Sequence, residues 1–218
     1  MSRFVRPKGL ALLGAALTMG GPAHVCAEAR PASLDSVNID ASHSESADFD
    51  GEGYRDARYR APVDRDPKPA ARLALPAAQL LKPGRDALFI DVLPAEGGVR
   101  DPATGTWRLA AEHQTIPGAT WHPEAGRRPS DPVLWQGLVA EVVRARRKHR
   151  HLPVILFCRT DCWMGWNAAR RLAAEGHDNI WWLAEGIEGW RKAGPLVVAE
   201  PVAIANENQE KDLNPWPS

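Results

Sequence analysis

The chain has 218 residues, 44% hydrophobic and 25% charged, with basic and acidic side chains equal at 27 each. Those values fit an ordinary globular chain with a single core and one domain plus extensions. Three cysteines are too few for a disulfide scaffold, so stability has to come from packing.

Residues 1–27 carry Arg3, Arg6 and Lys8, then the apolar run from Gly9 to Met19, then small residues ending at Ala27. This order predicts a secretory signal peptide and a periplasmic protein. The apolar run is too short for a stable membrane span, and no later segment reaches the roughly 20 residues that spanning requires. Cleavage after Ala27 or Ala29 removes Cys26. The alternative is a lipoprotein acylated at Cys26, which the preceding His24 and Val25 suit poorly. Loss of the three basic residues leaves 24 basic against 27 acidic side chains, about −3 at neutral pH. That balance disfavours nucleic acid as the main partner. The basic run from Arg144 to Arg150 reads as the solvated end of a helix.

Residues 28–52 are rich in Ser, Asp, Ala and His without periodicity and predict a disordered leader. Residues 53–72 follow as an N-terminal arm lying on the domain, anchored by Tyr54 and Tyr59, with a partner-docking surface as the alternative. The domain proper is expected over 73–200. A short helix at 76–81 leads to the buried strand Ala87–Val92, and 94–117 forms a long loop of the kind that is usually functional. After a strand through Trp121, Ser130-Asp131-Pro132 supplies a capped helix start, and apolar residues at helical spacing carry that helix to about Lys148. Val154–Phe157 is a strand, the helix after it runs to about Glu175 and stops at Gly176, and 179–183 is the last strand, before a short helix at 187–192. Residues 201–218 form a polar, flexible tail. Strands alternating with helices predict an α/β fold with a parallel central sheet and helices on both faces, whose ligands gather at the carboxyl ends of the strands.

The reactive centre is expected at Cys158-Arg159-Thr160-Asp161-Cys162-Trp163-Met164-Gly165-Trp166-Asn167, between the strand and the helix. Orphan N–H groups and the positive end of the helix dipole meet there, lowering a thiol pKa and favouring anions. Asp91 ends the preceding strand, where bonding loop amides is the simpler role and acid/base work the sharper one.

In order, Phe89-Ile-Asp-Val92, Ile116-Pro-Gly-Ala119, the strand–cysteine loop–helix of 154–174 and the segment Asn179–Trp190 resemble a rhodanese-like domain. The sequence is further similar to secreted rhodanese-like proteins named for a CXXCW motif and associated with pyrroloquinoline quinone (PQQ)-dependent catabolism. The residues are Gly53-Tyr-Arg, Tyr59-Arg-Ala-Pro62, Ile90–Pro94, Asp161–Ala169 and Glu185–Trp190. The resemblance implies that Cys158 holds the place of the sulfur-carrying cysteine. It also implies service to PQQ-dependent dehydrogenase pathways, with no cofactor of the protein's own. Departures matter too. Asp161 stands where a glycine is usual, the loop is one residue longer, and Leu93 replaces a common arginine. Met164 stands where phosphatase relatives have arginine, so the resemblance does not extend to phosphate-ester hydrolysis.

Three chemistries remain open. Cys158 can act as a nucleophile favoured by the helix terminus and Arg159 and opposed by Asp161. Cys158 and Cys162 can form a reversible disulfide, since a separation of four can bring the α-carbons within about 4.4–6.8 Å, with a thiol or redox protein as partner. A sulfur-carrier variant has Cys158 bearing the persulfide and Cys162 resolving it. The third is a non-catalytic binding module or Cu(I) chaperone using Cys158, Cys162 and His113 or His122. Trp163 and Trp166 are expected either as core packing or as an aromatic wall that shelters the thiols or presses on a partner.

Overall fold

The computed structural model describes residues 47–205. The expected signal peptide, Cys26, most of the leader and the end of the tail lie outside the described residues. The strands are β1 (Ala71–Leu73), β2 (Leu88–Asp91), β3 (Val99–Arg100), β4 (Trp107–Arg108), β5 (His113–Thr115), β6 (Thr120–Trp121), β7 (Val154–Phe157), β8 (Ile180–Leu183) and β9 (Val197–Ala199). The helices are α1 (Leu75–Ala78), α2 (Pro132–Ala145), α3 (Trp163–Ala174) and α4 (Gly186–Arg191).

Five strands form one parallel sheet in the order β1-β8-β7-β2-β6, with β7 at its centre. Every residue of β2 and β7 is buried, as expected for strands covered on both faces. Strand periodicity divides the core in two. Leu88, Ile90, Val154 and Leu156 face a cluster with Leu138 and Val142 of α2 and Trp166, Ala169 and Leu172 of α3. Phe89, Ile155 and Phe157 face the opposite way, against Ala78 and, at its margin, Trp190 of α4. The sheet is therefore sandwiched between helices on both faces, the architecture expected from the sequence.

Local chemistry sets the helix ends. Asp131 Oδ1 accepts from the Val133 N–H (2.8 Å) and the Leu134 N–H (3.3 Å), and Pro132 fills the first turn. Beyond α3, Gly176 takes φ +93°, and the His177 N–H donates to the Leu172 carbonyl (3.2 Å), closing the last turn.

Three expectations change. The long excursion of 94–117 is not one open loop: β3 pairs with β4, and β5 pairs antiparallel with β9. The beginning of the tail also packs. The Val202 N–H donates to the Trp121 carbonyl (2.9 Å), Arg100 Nε donates to the Ile204 carbonyl (3.1 Å), and the Ile204 side chain lies over Gly137. At the other end the ordered contacts start before residue 53. Asp48 is buried and paired with Arg55 (2.8 Å), and Ala71–Leu73, expected to straddle the arm boundary at 72, is an edge strand of the sheet.

Candidate active site

Cys158 follows β7 directly, at the carboxyl end of the central strand. Its carbonyl accepts the Ile187 N–H (2.9 Å), which ties it to α4. Gly186 passes so close that a Cβ there would stand 2.5 Å from the Cys158 oxygen, and its φ of +55° suits glycine as well. The next residues are pinned to the same turn: Thr160 Oγ1 donates to the Glu185 carbonyl (2.6 Å) and the Thr160 N–H donates to Glu188 Oε2 (2.8 Å). Asp161 then takes φ +52°, the left-handed conformation in which a glycine would sit unstrained. Asp161 thus keeps the backbone shape that the resemblance assigns to glycine. Its exposed side chain supplies the negative charge expected near the thiols.

Cys162 is the N-cap residue of α3 and is joined to Cys158 by a disulfide, S–S 2.08 Å with α-carbons 6.1 Å apart. The two residues are only 1% and 4% exposed, which limits attack on the bond to reagents that enter the space above it. That space is a cavity of about 550 Å³. Its lining combines arm residues 58–62 with Leu93, Pro94, Arg127, Met164 and both cysteines. Arg159 also lines it, 3.7 Å from Glu96.

The aromatic pair beside the loop is core, not an exposed wall. Trp163 and Trp166 are buried, in edge contact with each other (centroids 5.2 Å), and Phe49 caps Trp163 at the same distance. The Arg55 guanidinium sits 5.1 Å from the Trp163 ring, and Trp166 Nε1 donates to the Arg65 carbonyl (2.9 Å). The expected pressing of these rings on a partner is corrected: the arm already covers them.

Asn167 shows how the arm is fastened. Its Oδ1 accepts the Arg55 N–H (3.0 Å), while Nδ2 donates to the carbonyls of Arg55 (2.7 Å) and Gly126 (3.0 Å). Gly126 must be glycine at this crossing, since a Cβ would stand 2.1 Å from the Met164 carbonyl oxygen. Gly165 faces β7, where a Cβ would meet the Phe157 backbone at 3.2 Å. The Tyr59 hydroxyl donates to the Arg128 carbonyl (2.9 Å) and accepts its N–H (2.7 Å), and burial raises the Tyr59 pKa. Asp48 is held below the usual carboxylate range by the hydrogen bond from Arg58.

Asp91 is fully buried and accepts from the Leu93 N–H (2.9 Å), Thr115 Oγ1 (2.7 Å) and His113 Nε2 (2.8 Å). It positions the strand end that leads to Leu93 and Pro94 and does not line the cavity. His113 stacks on Trp121 at 3.9 Å. His122 is buried with neither ring nitrogen hydrogen-bonded, its Nε2 3.9 Å from Glu141 Oε2, and burial lowers its pKa to about 4. The Cu(I) ligand set is therefore not assembled. Among the described residues no group of three or more His, Cys, Asp or Glu side chains could hold a metal, and both sulfurs are engaged with each other.

A cysteine at the end of the central parallel strand, in a loop feeding α3, sits in the segment where a family comparison is decisive. The rhodanese-like domain profile matches residues 77–193, more than half of the chain. The chain belongs to the rhodanese-like domain family. The match takes in the sheet from β2 to β8, the cysteine loop and helices α2 to α4. No curated protein matches the sequence. The arm lies before the matched rhodanese-like domain, and the wall it builds over the cysteines is what sequence reasoning missed. The density of Tyr and Arg over residues 54–60 was the available signal.

Proposed function

We propose that the protein is an exported thiol–disulfide or sulfane-sulfur transfer protein acting through Cys158 and Cys162. The observation that carries this is the disulfide at the floor of the cavity, on the loop where the family's reactive cysteine belongs. An external thiolate or hydrosulfide attacks Cys158 Sγ along the S–S axis. The new bond forms on Cys158, and the electron pair of the broken bond goes to Cys162 Sγ.

Cys162 is the better leaving group. As the N-cap residue of a 12-residue helix, its thiolate is offered the N–H groups of the first turn and the positive end of the dipole. Attack by hydrosulfide leaves a persulfide on Cys158, which an acceptor thiolate can remove at the outer sulfur. Attack by a thiol leaves a mixed disulfide, which a second thiolate or Cys162 resolves. A disulfide donor then restores the resting bond.

Export is supported by the pattern of residues 1–27, since an oxidising compartment keeps such a pair joined. An accessory role in PQQ-dependent alcohol catabolism is supported by the similarity at residues 53–62, 161–169 and 185–190. The test is thiol counting on protein taken from its own compartment, combined with mass analysis of the single-cysteine variants after exposure to a small-molecule disulfide or a polysulfide, whose S–S bond supplies the oxidising equivalents. Cys162→Ser should trap an adduct on Cys158 and Cys158→Ser should not. Free thiols at both positions before any reductant would sink the proposal.

A further inference from the structure

Five consecutive arm residues, Arg58 to Pro62, line the cavity over the disulfide, and they lie outside the matched family domain. This wall is fastened at several independent points. The Tyr59 hydroxyl is bonded to both backbone groups of Arg128, and the Tyr59 carbonyl accepts the Trp163 N–H (2.9 Å), the first amide of α3. Four residues upstream of Tyr59, Asn167 holds both backbone groups of Arg55.

The wall decides who can reach the sulfur. Exchange requires the incoming thiolate to approach in line with the S–S bond, and a cysteine of a folded protein brings its neighbouring backbone with it. Behind the arm both cysteines are nearly inaccessible at 1% and 4%, while the cavity of about 550 Å³ is of the size that holds a small molecule. Among its lining residues Arg58 pairs with Asp48, Arg127 with Glu124 and Arg159 with Glu96 (3.7 Å), so most of the charge around it is already matched and size is what the cavity selects.

Resting on the thiol–disulfide function proposed above, we infer that the arm is a specificity wall that admits a low-molecular-weight thiol to Cys158 and excludes the cysteines of folded proteins. The small thiolate bonds to Cys158 Sγ and Cys162 leaves as thiolate. A second small thiolate then takes the first as its disulfide and leaves Cys158 reduced. Two small thiols are oxidised as the one protein disulfide is reduced.

The test follows reduction of the disulfide in the full-length oxidised protein by glutathione and by a folded protein bearing one surface cysteine. Each rate is divided by the same thiol's rate against a small free disulfide. Glutathione should exceed the protein thiol on the order of 100-fold by this measure. Tyr59→Ala, which loosens the wall, should bring the protein thiol to within about threefold of glutathione, and Asn167→Ala should move the ratio the same way. Equal normalised rates in the wild type, or unchanged selectivity in both variants, would overturn the wall. Failure of every thiol to reduce the bond would instead strike the thiol–disulfide function itself, so the two failures are distinguishable.

Discussion

His122 makes the stability of this fold sensitive to mild acid, and the effect can be sized. Its ring is 1% exposed with no hydrogen bond to either nitrogen, and burial, with a smaller contribution from Arg144, lowers its pKa from 6.5 to about 4. A folded-state pKa below the unfolded value means that the unfolded chain takes the proton first. The stability from keeping His122 neutral is complete above pH 6.5 and is lost as pH falls toward 4. Between about pH 7.5 and about pH 4.5 the loss is about 2.5 kcal/mol, from 1.36 kcal/mol per pH unit of linked protonation. Urea titrations of wild type and His122→Leu at several pH values measure it directly. The wild-type midpoint should drop by about 1 M relative to the variant across that range. Carboxylates held below their ordinary pKa of 3.8, such as Asp48 by its hydrogen bond from Arg58 and Asp178 by its hydrogen bond from His151, lose their contribution in a more acidic window. Wild-type and variant curves that run parallel from neutral pH to about pH 4.5 would refute the assignment, because the difference isolates one ring.

Replacing Asp91 with Asn puts an NH₂ group among donors that need an acceptor, and should cost about 2 kcal/mol in thermal or urea unfolding. Trp163→Ala removes a buried ring that holds Phe49 and Arg55 in place, and should cost about 3–5 kcal/mol and expose the arm to limited proteolysis. The Cys158–Cys162 bond closes only a short loop of separation 4, so unfolding of reduced against oxidised protein should differ by about 2 kcal/mol.

The central elements were legible because their signals are local. The apolar runs of β2 and β7, the Asp131 cap with Pro132 behind it, and the left-handed Gly176 each state their conformation within a few residues. The cysteine loop was legible for the same reason, since a strand, a polar turn and a helix stand next to one another. What escaped depends on partners far apart in sequence. Val197–Ala199 becomes β9 only because His113–Thr115 lies alongside it, and neither segment shows strand alternation by itself. Trp163 and Trp166 could not be assigned to core or surface without Phe49, Arg55 and Arg65, which reach them from more than 90 residues away.

On the proposed thiol–disulfide function, the anchoring of the loop lets the pair open and reclose without losing its geometry. Cys158 is fixed to the sheet by following β7 and by its carbonyl bond to the Ile187 N–H, and Thr160 fixes the next turn to the same α4 region. Cys162 belongs to the other side: α3 is tied to the arm through Trp163, Trp166 and Asn167. None of these contacts uses a sulfur atom. When the bond opens, the two thiols stay close on fixed elements, so reclosure is intramolecular and is favoured by the high effective concentration of a preorganised pair. A mixed disulfide or persulfide on Cys158 therefore always faces a neighbouring thiolate at the start of α3, and its lifetime depends on how fast an acceptor competes with Cys162.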